Sequence, residues 1–236
     1  MSNDFCSQLV TDQYAGYSVI RYTVNTSWKE HSYLLVEHAT GEVVLIDPGY
    51  GIEDLLEHIV RQGWTVKFVL ATHAHFDHVA GVADVERQFS KTCIIHPKEK
   101  RLFLHAPMYS VRFVGITMKR PKGVALLDDV LETKLNAFGI FALWTPGHTQ
   151  GGMTFFYRDL AFTGDTLLKG YVGRTDLPDS DEEKIVHSVD AVMEEMQRRK
   201  IRVVYPGHGS KWEAEKARDW WRAKRGAAPH LDCFID

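Results

Sequence analysis

The stretch His73-Ala74-His75-Phe76-Asp77-His78 sets three imidazoles and a carboxylate within six residues. It follows Val66 to Ala71, an apolar run broken only by Lys67, which reads as a buried strand. Ionisable groups gathered at the end of a buried strand are costly unless something binds them. A divalent metal ion is the natural partner, because imidazole nitrogen and carboxylate oxygen are ready ligands for zinc or iron. His73 and His75 alternate along extended chain, so their rings can converge on one ion. Asp77 and His78 lie just beyond, where the chain turns toward a helix, and are better placed for a second ion.

Two ions need more ligands than these four. The downstream chain offers three, each just after a predicted strand. His148 sits in Trp144-Thr145-Pro146-Gly147-His148-Thr149, Asp165 in Phe162-Thr163-Gly164-Asp165-Thr166, and His208 in Val204-Tyr205-Pro206-Gly207-His208-Gly209. The Gly or Pro-Gly before each lets the backbone turn sharply and come close to a site. Taken singly, each is an ordinary turn with a satisfied side chain. Taken in order after the six-residue string, they mark a metal site.

The rest of the chain suits an enzyme of ordinary composition. It has 236 residues, 44% of them hydrophobic, which suits one large domain or two small ones with a real core. A net charge of −3 gives no global pull toward nucleic acid or an anionic membrane. No apolar stretch approaches the ~20 residues that span a bilayer. The start, Met1-Ser2-Asn3-Asp4, lacks the basic and apolar segments of a signal peptide. Cys6, Cys93 and Cys233 are odd in number and widely spaced, so free thiols and a reducing cytoplasm are expected.

Neither repeats nor linkers interrupt the chain, so a single domain over residues 1–236 is expected. Tyr17 to Thr23, Ser32 to His38 and Val43 to Asp47 read as early strands. Ile52 to Arg61 has helical periodicity, and a helix from about Val79 to Phe89 precedes a short strand, Cys93 to His96. In the second half, Gly139 to Trp144, Met153 to Tyr157, Leu160 to Phe162 and Val203 to Tyr205 read as strands. Ser180 to Arg199 is the clearest helix, with Ser180 and Glu183 at capping-box spacing. A last helix runs from about Glu213 to Lys224; its Trp220 and Trp221 could serve the core or a subunit contact. Each half thus holds strands and then helices, which suits two sheets packed face to face with helices outside.

Between the halves, Lys98 to Lys122 carries seven Lys or Arg against one acid, Glu99, with Phe103, Leu104, Met108, Tyr109, Phe113 and Met118 interleaved. One reading is a solvated surface helix and loop. The other is a basic cap at about 98–122 that draws in an anionic, partly apolar substrate, with Phe103, Met108, Tyr109, Phe113, Lys119 and Arg120 facing it.

The string His73-x-His75-x-Asp77-His78, with His148, Asp165 and His208, resembles the metallo-β-lactamase superfamily. Leu45-Ile46-Asp47-Pro48-Gly49 resembles that family's first motif. The likeness runs from about Ser32 to Gly209. It implies an α+β fold, an αββα sandwich of two mixed β-sheets with outer helices, and metals at one edge between the sheets. It also implies that His73, His75 and His148 hold one ion, that Asp77, His78 and His208 hold another, and that Asp165 bridges them. Asp47 would orient a ligand from behind; alternatively it is a turn-forming Asp-Pro-Gly residue. Two divalent ions are implied, zinc first, with iron or manganese also accepted by such ligands.

Within the superfamily, Gly164-Asp165-Thr166-Leu167-Leu168 followed by Val172-Gly173-Arg174-Thr175-Asp176-Leu177-Pro178 resembles the glyoxalase II-like group. Asp165 and an intact Asp77 differ from the antibiotic-destroying lactamases, which commonly bridge with cysteine. Three departures from glyoxalase II stand out. Few residues follow His208, so its helical C-terminal domain is not expected. The segment between Gly81 and His148 is enlarged. The chain reads Thr149-Gln150-Gly151-Gly152 where Thr-Pro-Gly-Ser is usual. The first two weaken the expectation of glutathione as carrier.

The expected activity is hydrolysis of an acyl thioester linked to glutathione, coenzyme A or a carrier protein. A metal-bound hydroxide would attack, with Asp77 and Asp165 as catalytic carboxylates. Tyr171 is a candidate substrate contact, and Arg174 would anchor the Asp165 loop or touch substrate. The alternatives are a mononuclear-iron persulfide dioxygenase using His73, His148 and Asp165, and a lactonase or other ester hydrolase on the same site. The partner is a small-molecule or carrier-linked thioester, with no nucleic acid and no membrane; the oligomeric state stays open.

Overall fold

The computed structural model describes residues 8–24 and 26–225. Cys6, Cys233 and the Met1 to Asp4 segment lie outside these. The chain divides into two compact units, Met1–Ile95 with Lys100–Leu126, and His96–Glu99 with Leu127–Asp236. Among the described residues no helix is long and apolar enough to cross a membrane.

The first unit is built on a mixed seven-stranded sheet whose spatial order follows the chain. Its strands are β1 (Gln8–Tyr14), β2 (Tyr17–Thr23), β3 (His31–Glu37), β4 (Glu42–Ile46), β5 (Thr65–Leu70), β6 (Ile94–Ile95) and β7 (Ala125–Leu126). The first four run antiparallel, and β4 through β7 are parallel. Tyr33, Leu34, Leu35 and Val36 of β3 are all buried, so this strand is covered on both faces. The crossover from β4 to β5 is α1 (Glu53–Gln62), which buries Leu55, Leu56 and Ile59 and ends on Gly63 in the left-handed region.

Three more helices follow the His-rich string. The expected helix over 79–89 is instead two, α2 (Phe76–Val79) and α3 (Val82–Phe89). Gly81 separates them. Its N–H donates to the Pro48 carbonyl at 2.8 Å. A Cβ there would collide with the Gly49 carbonyl and meet Ile52 Cγ2 at 2.6 Å. The break is therefore forced by close approach to the Asp47-Pro48-Gly49 loop. Next, α4 (Lys100–Val114) turns Leu102, Phe103 and Ala106 into the core that also takes Val79, and it packs on α2.

The second unit has a five-stranded sheet in the order β14-β13-β10-β9-β8. These are β8 (Ile140–Trp144), β9 (Met153–Tyr157), β10 (Leu160–Gly164), β13 (Val203–Pro206) and β14 (Trp212–Glu213), with a separate hairpin of β11 (Leu167–Leu168) and β12 (Tyr171–Val172). Only β10 and β13 pair in parallel. Its helices are α5 (Asp129–Phe138), α6 (Glu182–Arg198) and α7 (Ala214–Arg225). α6 buries Ile185, Val189, Val192, Met193 and Met196, the stripe expected from spacing. Its cap is one residue later than expected: Asp181 accepts the Lys184 N–H at 3.0 Å, while Ser180 Oγ donates to Leu177 O.

α7 is tied to α6 through one carboxylate. Asp190 Oδ1 accepts the Trp221 indole N–H at 2.7 Å, and Arg225 pairs with Oδ2 at 2.9 Å. Trp221 is buried, and Trp220 packs on Trp212 at 5.8 Å, so both serve the core of this unit. Burial pushes the Asp190 carboxyl up, but the hydrogen bonds from Arg225 and Trp221 outweigh it and hold the group below its ordinary value. A depressed carboxyl stabilises the fold above its unfolded pKa, and that contribution is lost as pH falls through the folded value. Asp190→Ala is expected to lower thermal stability by about 1 kcal/mol at pH 7. The gap should narrow below about pH 4, as followed by paired thermal melts across pH.

Candidate metal centre

In the first unit the ligands issue from parallel strand ends. β4 and β5 run side by side, with Ile46 opposite Leu70, so Asp47 and the Thr72-His73 segment leave the same edge. Asp47 has φ 51°, a left-handed conformation that Asp tolerates better than most residues. Its buried carboxylate accepts the Thr72 N–H at 2.6 Å and the Thr72 hydroxyl at 2.7 Å. It also lies 3.0 Å from His78 Nδ1.

These contacts set the tautomers. The Thr72 proton goes to Asp47, so the hydroxyl oxygen is left to accept from His73 Nδ1 at 3.1 Å. His73 and His78 thus each have Nδ1 engaged and present Nε2 outward, the arrangement of a metal-binding histidine. His73 Nε2 approaches His75 Nδ1 to 3.0 Å. At most one of two facing ring nitrogens can carry a proton toward the other, whereas a cation satisfies both lone pairs. Asp77 Oδ2 stands 3.7 Å from His78 Nε2.

In the second unit the same logic recurs. Asp165 and His208 follow the parallel strands β10 and β13, where Gly164 faces Pro206 and Gly207 N–H donates to Gly164 O. His148 follows β8, which runs in the same direction as β10 with β9 between. All three donors therefore leave one edge of the sheet. Asp165 Oδ2 lies 3.5 Å from His148 Nε2 and 3.5 Å from His208 Nε2. A single carboxylate oxygen thus stands equidistant from two imidazole nitrogens. His148 Nδ1 is fixed by the Arg174 carbonyl at 2.9 Å, which again leaves Nε2 for a metal. The donors in both units are imidazole and carboxylate with no thiolate, a set that fits zinc, iron or manganese. Cys93 is fully buried and belongs to none of the candidate donor groups among the described residues.

The expected substrate contacts divide. Phe103 is not available: it is 6% exposed, in the core of the first unit. Lys119 is already paired with Asp84 at 2.7 Å, which ties the loop after α4 to α3. Met108, Phe113 and Arg120 are exposed, and Tyr109 is half-buried and stacks on Phe113 at 5.9 Å. Tyr171 keeps its candidacy. Burial first, then the Asp165 charge, pushes its phenol up, so it stays a hydrogen-bond donor at neutral pH. The Arg174 guanidinium turns away to grip Asp176 at 2.7 and 2.6 Å, so the Arg174 group that meets a ligand is its carbonyl.

Sequence reasoning missed Thr72, although its place between strand and His73 could have marked it. It also missed the meaning of Gly173. A Cβ on Gly173 would collide with the Asp165 carbonyl and stand 2.8 Å from His148 Nδ1. Gly173→Ala is therefore expected to displace both donors and lower metal affinity while the helical content stays intact. Asp47→Ala should weaken metal binding by roughly 10–100-fold, the usual cost of losing a group behind a ligand. Competition with a chromophoric chelator, beside circular dichroism, checks both. Wild-type affinity in either variant would remove that residue from the support of the site.

Known proteins bear on this geometry. A family profile, the metallo-beta-lactamase superfamily, matches residues 27–214. A probable metallo-hydrolase of Methanocaldococcus jannaschii is 31% identical over 186 residues, covering 77% of this chain and 88% of that protein. Hydroxyacylglutathione hydrolase GloC of Haemophilus influenzae is 33% identical over 177 residues, covering 70% and 79%. Among solved structures, the BLEG-1 B3 metallo-beta-lactamase matches with a TM-score of 0.73 at 29% identity, over 82% of this chain and 93% of that one. TTHA1623 in a di-iron-bound form matches with 0.71 at 31% identity, over 81% and 93%. Matches of this breadth, carried on a histidine and carboxylate donor set, show that the chain belongs to the metallo-β-lactamase superfamily of metal-dependent hydrolases.

Proposed function

We propose that the chain holds a dinuclear metal centre that hydrolyses acyl thioesters. His73, His75 and His148 would hold one ion, Asp77, His78 and His208 the other, and Asp165 would bridge. The observation that carries the reading is the Asp165 oxygen at 3.5 Å from both His148 and His208. Similarity to a di-iron protein and to a hydroxyacylglutathione hydrolase supports it.

When bound, the ions would polarise the substrate carbonyl and make water acidic enough to attack near neutral pH. The chain's own groups do the rest. Asp77 would take a proton from water with the carboxylate oxygen not engaged by the ion. Tyr171 offers a phenol proton to a polar atom of the substrate. A thiolate leaves without acid assistance, so no further proton donor is required. Asp47 and the Arg174 carbonyl hold the imidazoles in position throughout.

Asp165→Ala is expected to abolish turnover and lower metal content at both positions, a larger loss than the roughly 100-fold ceiling for a supporting group. The measurement is metal content together with thiol release from acyl-glutathione and acyl-coenzyme A, run beside a β-lactam, a lactone and glutathione persulfide. Two ions per chain with thiol release supports the proposal. One iron with oxygen consumption on the persulfide, or turnover of the β-lactam or lactone alone, would replace it.

A further inference from the structure

The outer face of α4 carries chemistry that the metal centre does not use. Leu102, Phe103, Ala106 and Ser110 turn inward, so the opposite side of the helix faces solvent. There Leu104, Met108 and Val111 stand at i, i+4 and i+7 and form a single aliphatic ridge, each more than half exposed. Helical spacing sets Arg101 and Arg112 along one flank of the ridge and Lys100 along the other. No Asp or Glu occurs from Lys100 through Lys122. Lys119 pairs with Asp84, which also holds Arg87. Lys100, Arg101, Arg112, Arg120 and the Lys122 ammonium make no ion pair among the described residues. Three cations without an ion-pair partner, Lys100, Arg101 and Arg112, flanking an apolar ridge are what an anionic protein surface would complement.

The helix also stands beside the chemistry. α4 packs on α2, and α2 carries Asp77 and His78. A partner seated on the outer face of α4 is separated from those donors by about one helix, roughly 10–12 Å across. A substrate presented from that face must therefore ride on a long, flexible tether.

We infer that the outer face of α4 docks an acidic carrier protein that presents the acyl group on a long thiol arm; this rests on the thioester reading above. The ridge is one side chain wide, a shape that packs into the groove of a partner helix. A free nucleotide thiol would use the cations and leave the ridge bare. A helix lying on a bilayer presents a broad apolar face, whereas here Arg101, His105 and Arg112 crowd the ridge.

Binding and turnover test this separately. The binding probe is an acidic acyl carrier protein bearing its unacylated phosphopantetheine arm, titrated calorimetrically into the zinc-loaded full chain. Binding that weakens with salt, and falls roughly tenfold or more in Arg101→Glu/Arg112→Glu and in Leu104→Ser/Val111→Ser, supports docking on this face. No binding, or equal binding by wild type and both variants, overturns it. So does stronger cosedimentation of the chain with anionic phospholipid vesicles than binding to the carrier. The turnover probes are hexanoyl-carrier protein and hexanoyl-N-acetylcysteamine. Both variants should lose activity on the first and keep it on the second. Equal loss on both probes overturns the docking role. Carrier binding without hydrolysis of either probe sinks the thioester reading and leaves the docking face standing.

Discussion

The Asp47 carboxylate, 1% exposed, is the contact on which the first half of the site depends. It takes hydrogen bonds from the Thr72 backbone and hydroxyl and engages the His78 ring. Through Thr72 it reaches His73 as well. One buried anion thus orients two imidazoles and pins the turn between strand and string. Its hydrogen bonds are met, but none of the described Lys or Arg pairs with it. A buried carboxylate is best stabilised by positive charge close by. Cations held by His73 and His78 would supply it.

Topology and glycine do the placing. In each unit the donors leave the ends of parallel-running strands, so the sheet sets their spacing before any side chain is considered. Two glycines then permit approaches that a methyl group would block. Gly81 lets the ligand helix close on the Asp47 loop, and Gly173 lets the hairpin loop press on Asp165 and His148. The same close approach divides the helix after the His-rich string, which periodicity alone reads as continuous.

The seven candidate donors could be picked out because metal chemistry needs a few residue types at strand ends, and strand ends can be read from apolar runs. The long buried strands were legible for the same reason; β2 and β9 have the expected bounds. Elements whose signal is polar were harder. β1 was missed because its residues alternate weakly, although Tyr14 stacks on Tyr17 across a tight turn at 4.8 Å. α5 was missed because it buries only Leu135, despite an Asp128 cap and a Gly139 stop. Side-chain direction was not legible either. Nothing local shows that Phe103 turns into the core, that Lys119 is spent on Asp84, or that Arg174 contributes its carbonyl rather than its guanidinium.

The proposed centre has these histidines and carboxylates hold two divalent ions. Anomalous diffraction at the zinc edge, from crystals grown with excess zinc near neutral pH, tests it most directly. Two peaks per chain are expected, one bounded by His73, His75 and His148 and one by Asp77, His78 and His208, with an Asp165 oxygen between. A single peak, or none at these residues, would contradict it.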